Sequence, residues 1–230
     1  MVRRIPDPSR AIPVVGQYDV MVVGGGMTGV AAALSAARLG ARVLIVEQTN
    51  CLGGVATSGW HNQLSQYNAW DDDTRVVGGI AYEIGERLVR EGYGTTDGSC
   101  VDFDVEGLKL LLDRMMAEAG VEVLYYTFFC DALVEDGQIV GGVIQNKSGR
   151  QAVMAYQVID TTGDADVAAH AGVPFRMGRE EDGLCQPTTL MFMLEGVDWP
   201  RVDAWRTNYQ MTEVWEQAQA DGIMEPFQDQ

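Results

Sequence analysis

Apolar and polar positions change period several times along the chain, and each change marks an element. Asp19-Val-Met-Val-Val23 is a short apolar run leading straight into glycines, the pattern of a buried parallel strand. Met27 to Leu39 is rich in alanine and stops at Gly40, a natural residue to follow a helix. Ala41-Arg-Val-Leu-Ile-Val46 predicts a second buried strand, which completes a strand-helix-strand unit. A glycine- and aromatic-bearing loop runs from Gln48 to about Val77. Ile80, Ile84 and Leu88 then recur every fourth residue and predict an amphipathic helix over Gly79 to Arg90. Val105, Leu108, Leu112, Met115 and Ala119 step by three and four, with Asp104 placed to cap that helix and Gly120 to end it. Val121 to Thr127 predicts a third strand.

The texture then becomes antiparallel. Ala132 to Glu135 and Ile139 to Ile144 flank Asp136-Gly137, a hairpin turn pair. Lys147-Ser-Gly149 supplies a second turn into Gln151 to Ala155. The expectation is a three-stranded meander leading into a core strand, Tyr156 to Asp160. Further on, Met191 to Leu194 has the look of a core strand, and Arg201 to Ala220 predicts a helix with Trp205, Val214 and Trp215 among its apolar positions. The fold class is therefore α/β: a Rossmann-like parallel sheet with an antiparallel meander. Residues 1–17 read as a leader and 18–175 as a nucleotide-binding domain. Residues 176–230 read as the start of a substrate-covering domain.

Composition narrows the function. The chain has 230 residues, 33 acidic against 16 basic, for a net charge of −17. The basic residues are scattered, which argues against nucleic acid and against an anionic membrane surface. Val20 to Ala37 carries no charge, but its glycines and alanines parse as strand, turn and helix, and not as a membrane span. The N-terminal twin arginine lacks an apolar stretch behind it, so no export signal is read. Cys51, Cys100, Cys130 and Cys185 form no C-x-x-C pair, and with His61 and His170 they assemble no zinc spacing. Reduced thiols, a cytoplasmic location and no metal are expected.

The chemistry is concentrated in Gly24-Gly25-Gly26-Met27-Thr28-Gly29, which fits G-x-G-x-x-G. Gly24 permits the turn off the strand, Gly26 lets a pyrophosphate approach the backbone, and Gly29 lets helix and strand pack closely. The helix N-terminus offers its positive end to the phosphates, which matters in so acidic a chain. Glu47, at the end of the second strand, can accept hydrogen bonds from the two hydroxyls of an adenosine ribose. It also repels a 2′-phosphate, which disfavours NADP.

Three further stretches bear on which dinucleotide binds: Leu52-Gly-Gly54, the meander, and Val158-Ile-Asp-Thr-Thr-Gly-Asp164. With these the chain resembles the FAD-dependent oxidoreductases of the glutathione-reductase-type fold, from about Tyr18 to Trp199. Val77-Gly-Gly-Ile80, Ala171-Gly-Val-Pro-Phe175 and Gln186-Pro-Thr-Thr-Leu190 support the resemblance. It implies an FAD held noncovalently in extended form. Gly24, Gly26, Met27, Thr28 and Gly29 would meet the pyrophosphate, and Glu47, with Gln48 beside it, the adenosine ribose. Gly53 and Gly54 would run along the diphosphate and ribityl, the Phe129 backbone would meet the adenine, and Thr162, Gly163 and Asp164 would close over the cofactor. Thr161 stands where such families usually carry alanine. The families also continue well past residue 230, so a further C-terminal segment, a complementary chain or a second copy stands open as partner.

The resemblance implies hydride transfer between a small-molecule substrate and flavin N5. An NAD-dependent dehydrogenase, and a segment that binds nucleotide or a partner chain without catalysis, stand as alternatives. His61, after Gly59-Trp60, is the candidate proton donor or covalent flavin anchor, although its surroundings do not match the anchor motif. Cys51 reads as a small buried thiol and His170 as a structural helix residue. Asp71-Asp72-Asp73 reads as a solvated loop. Arg176, Arg179 and Gln186 lie where a substrate carboxylate could be clamped.

Overall fold

Alternating side chains sort one mixed sheet between two cores. The computed structural model describes residues 11–65, 67–69, 74–208 and 211–223. The chain divides into two compact units, Met1–Met191 and Phe192–Gln230; the sequence reading drew its division after residue 175. In the first unit β1 (Val14–Val23) leads through the glycine loop to α1 (Met27–Arg38) and β2 (Val43–Val46). A 3-10 turn (Gly54–Ala56) and β3 (Gln63–Leu64) precede α2 (Gly79–Arg90). Next come β4 (Gly94–Thr96), β5 (Val101–Phe103), α3 (Val105–Ala119) and β6 (Glu122–Leu124). The meander is β7 (Phe128–Glu135), β8 (Gln138–Asn146) and β9 (Gly149–Asp160), followed by α4 (Asp166–His170). The second unit holds α5 (Trp199–Asn208) and α6 (Met211–Ala220).

The large sheet runs β6-β2-β1-β9-β8-β7. β1 is central and parallel to both β2 and β9, and β2 is parallel to β6. β8 lies antiparallel to β9 and β7. Side chains of a strand alternate between faces. Val22, Val43 and Ile45 join Leu34, Leu88, Leu111 and Leu112 of the helices in one core. Their neighbours Met21, Val23, Leu44 and Val46 enter another core with Ile144, Val153, Ala155 and Val167. Both faces of the parallel strands are thus covered, which is why Val43–Val46 is apolar without alternation. Each fully buried Leu, Ile or Met contributes roughly 1.5–3 kcal/mol of transfer free energy.

The punctuation expected at the helix and hairpin ends is present. Asp104 Oδ1 accepts the Gly107 N–H at 2.6 Å, and Gly120 ends α3 in the left-handed region. Asp136 and Gly137 both have positive φ, 49° and 76°, as a tight hairpin turn with matching twist demands.

Several elements differ from the sequence reading. β1 starts at Val14, so residues 14–17, read as leader, are strand: Val14, Gly16 and Gln17 pair with Ala152, Val153 and Met154. The third meander strand and the core strand are one continuous β9 that serves β8 on one side and β1 on the other. The strand expected over Val121 to Thr127 is confined to Glu122–Leu124, because Tyr126 turns into positive φ. The small sheet β3-β5-β4 was not foreseen. Met191 to Leu194 forms no strand; Phe192, Met193 and Leu194 are exposed coil. The helix expected over Arg201 to Ala220 is described as α5 and α6, with residues 209–210 between them outside the description. The leader through residue 10 and the Asp71-Asp72-Asp73 run also lie outside the described residues. Among the described residues no helix is long and apolar enough to cross a membrane.

Candidate functional site

Four segments far apart in sequence meet where β1, β2 and β9 end. Gly24 leaves β1 with φ +99°, its N–H donating to Val46 O at 2.9 Å. A Cβ on Gly24 would stand 2.5 Å from the Thr161 carbonyl oxygen, and one on Gly29 would stand 1.9 Å from Gly24 O. Those two contacts leave no room for a side chain, so close packing of loop, helix and strand end demands glycine. Gly26 is different. It caps α1 with ordinary extended backbone, and a Cβ there would meet nothing within 4 Å.

The Gly53-Gly54 segment lies directly against this loop. Gly26 and Gly53 form a parallel bridge, with the Gly53 N–H on Gly25 O at 2.8 Å. Beneath Gly53, Thr57 is fully buried and donates its hydroxyl to Leu52 O at 2.6 Å. Leu52 in turn fills the space beside Gly25. Thr57 and Leu52 shape the site from below; only their nearness to the glycine pair could have signalled this.

Glu47 is almost wholly buried, at 6% exposure, and both carboxylate oxygens are engaged. Oε2 accepts the Gly25 N–H and Oε1 the Thr49 N–H, each at 2.6 Å. The Glu47 carbonyl accepts the Thr127 N–H at 3.0 Å. Thr127 is therefore bonded to Glu47 at this edge. Phe129 is paired with Ile144 two residues further on, its ring edge-on to His170 at 5.8 Å. Gln48 is exposed beside Glu47.

The turn after β9 is built by Asp160. Its Oδ1 accepts the Thr162 N–H and hydroxyl at 3.1 and 2.8 Å, and its Oδ2 accepts the Ala168 N–H at 3.0 Å. Burial by itself would push the Asp160 carboxyl up; the Ala168 and Thr162 donors outweigh it and hold the group below the ordinary aspartate range. Thr162 is thus turned toward its own loop, whereas Gly163 and Asp164 are exposed. Thr161, where the resembled families usually carry alanine, donates its hydroxyl toward Val23 O and Gly24 O at 2.8 and 2.7 Å.

The catalytic candidates are not gathered in the same way. His61 is exposed in the loop after the 3-10 turn, held through its main chain by Val55 O at 3.0 Å. Cys51 is buried, its Sγ 3.4 Å from Ser58 Oγ and 3.7 Å from Thr57 Oγ1. His170 Nδ1 lies 3.3 Å from Asp131 Oδ1. Arg176 pairs with Glu180 and Arg179 with Asp182, neighbours in sequence, and Gln186 is exposed coil.

The donor set suits an extended dinucleotide. The first turn of α1 has no side-chain cap and no acidic residue, so its amides and its positive end face the open space over Gly26. Tight glycines behind and an open one in front are what a bound pyrophosphate needs.

Comparison with known proteins agrees. The chain is 29% identical over 194 residues to digeranylgeranylglycerophospholipid reductase 2 of Methanothermobacter thermautotrophicus, covering 79% of this chain and 48% of that protein. It is 35% identical over 126 residues to the thiamine thiazole synthase of Aeropyrum pernix, covering 55% and 43%. The chain therefore spans about half the length of the curated relatives it matches. The solved structure of Thermovibrio ammonificans THI4 shares the fold, with TM-score 0.52 at 22% identity over 71% of this chain and 67% of that one. The family model described as FAD dependent oxidoreductase matches residues 19–228, nearly the whole chain, and with the glycine loop, the buried Glu47 and the turn after β9 in place this chain belongs to that family.

Proposed function

We propose that the first unit holds FAD noncovalently along the glycine edge, and that the protein passes a hydride between a small-molecule substrate and the flavin. The flavin, when bound, supplies the hydride-accepting or hydride-donating centre. The rest of the chemistry falls to the chain. The amides of Gly26, Met27, Thr28 and Gly29 neutralise the pyrophosphate, while Gly24 and Gly29 keep loop and helix close enough for it to dock. Glu47, with Gln48 beside it, accepts from the ribose hydroxyls using lone pairs left over from its two backbone bonds. Gly53 and Gly54 line the path of the diphosphate and ribityl, the backbone near Phe129 borders the adenine, and Gly163 and Asp164 close the near side, with Thr162 shaping their turn. No side chain is assigned as proton donor; His61 stands as the candidate. Membership of a family named for this cofactor supports the reading. The observation that carries it is the open face of Gly26 at an uncapped helix start, against the Gly53-Gly54 segment.

Gly26→Ala tests it. The backbone conformation suits alanine and the space is free, so the variant is expected to fold. Its methyl group occupies the phosphate position, and FAD affinity is expected to fall by about tenfold or more, the ratio set by roughly 1.4 kcal/mol. Unchanged affinity would contradict the placement of the cofactor.

A further inference from the structure

We infer that Thr161 is a positioning residue: with Glu47 it clamps the peptide unit between Gly24 and Gly25, so that the phosphate loop is shaped before any dinucleotide arrives. The inference rests on the flavin reading for its ligand, but the clamp itself does not. The two ends of one amide are held from two directions. The Gly24 carbonyl accepts the Thr161 hydroxyl at 2.7 Å, and the N–H of the same peptide, on Gly25, donates to Glu47 Oε2 at 2.6 Å. Among the described residues no other hydrogen bond reaches the Gly24 carbonyl.

Thr161 is itself firmly placed. Its main-chain N–H donates to Val23 O at 2.9 Å, and its hydroxyl lies 2.8 Å from the same oxygen, so one hydroxyl hydrogen is shared between two carbonyls. A Cβ on Gly29 would stand 2.9 Å from Thr161 Oγ1. The hydroxyl therefore sits where the end of β1, the loop and the first turn of α1 touch. Turning the Gly24–Gly25 peptide plane would re-aim the amides that follow it. Fixing the plane spares the loop that reorganisation when an anion binds, which raises affinity without a direct contact.

The test compares Thr161→Val, which keeps the shape and removes the donor, with Thr161→Ser, which keeps the donor. Thr161→Ala stands beside them should the extra methyl disturb the sheet. Two quantities are read in the full chain: amide hydrogen exchange over residues 24–30 without ligand, and the dissociation constant for FAD. In Thr161→Val the exchange is expected to quicken and FAD binding to weaken, each by about fivefold, as loss of one net hydrogen bond implies. Thr161→Ser is expected to match the wild type in both. Unchanged exchange in both Thr161→Val and Thr161→Ala overturns the clamp, whatever FAD does. Faster exchange with FAD affinity within about twofold of wild type overturns the positioning role. A wild-type chain that takes up no FAD overturns the flavin reading instead, and exchange alone then decides the clamp.

Discussion

Gly54 lies so close to Gly26 that a Cβ on it would stand 3.1 Å from the Gly26 Cα. The two glycine stretches, one at the start of α1 and one past the end of β2, thus form a single surface. The glycines of that surface do different work, and alanine substitution separates them. Gly29→Ala drives its methyl against Gly24 O and is expected to lower stability by about 1–3 kcal/mol, as overpacking does. Gly26→Ala, with φ −61° and open space, is expected to stay within about 0.5 kcal/mol. Urea unfolding of the two variants checks this, and equal losses would contradict the distinction.

Glu47→Gln replaces an acceptor of two backbone N–H groups by a side chain that presents a donor to one of them. Hydrogen bonds to a charged group are worth about 1.5–3 kcal/mol, so a loss of that order is expected in urea unfolding of the ligand-free protein. A ribose ligand alone would leave ligand-free stability unchanged.

Asp160 gives the protein an acid dependence. Its folded-state carboxyl is held below the ordinary range, so the folded protein binds fewer protons than the unfolded one. Its contribution is present above the unfolded value of about 4 and is lost as pH falls through the lowered folded value. Asp160→Asn is expected to be less stable at pH 7 and to show a shallower fall on acidification. Parallel acid profiles for the two proteins would remove Asp160 from this role.

Tyr67 acts at the other end of the scale. Burial, then the neighbouring Tyr82 and Cys100, push its phenol up to about 12. A group whose folded value is raised stabilises the protein below its unfolded value and loses that contribution as pH rises through the folded one. The window here runs from about 10 to about 12. In an ultraviolet titration of the folded chain Tyr67 is expected to ionise late together with Tyr125 and Tyr18, whose phenols burial also pushes up, and Tyr67→Phe is expected to remove one equivalent from that late step.

The parallel strands, α1, α3 and the glycine loop were legible because burial on both faces and helix caps leave unambiguous patterns. Val43–Val46 is uniformly apolar, and Asp104 and Gly120 bracket a regular three-four spacing. The small sheet was not legible: Gln63–Leu64, Gly94–Thr96 and Val101–Phe103 are too short for alternation to show. The Met191-Phe-Met193 run misled for the opposite reason. An apolar run implies burial only where a partner strand exists, and here the segment is exposed.

Within the candidate site, the close packing at Gly24 and Gly29 was legible from the glycine spacing, whereas Glu47, expected as a ribose acceptor, also holds the Gly25 and Thr49 amides, which spacing does not announce. The roles of Asp160 and Thr161 were not legible. Asp160 turns back on the nearby Thr162 and Ala168 amides through a loop whose shape no pattern announces, and Thr161 reaches the Val23 and Gly24 carbonyls, which are distant in sequence.

The most direct test of the central claim is an absorption spectrum of the purified chain after incubation with FAD and removal of free flavin, repeated on the supernatant and pellet after acid precipitation. The expected result is a yellow protein whose FAD is released into the supernatant. Colour kept in the pellet would contradict noncovalent binding and turn attention to His61. A colourless chain would contradict the proposal that the Gly24–Gly29 edge holds FAD.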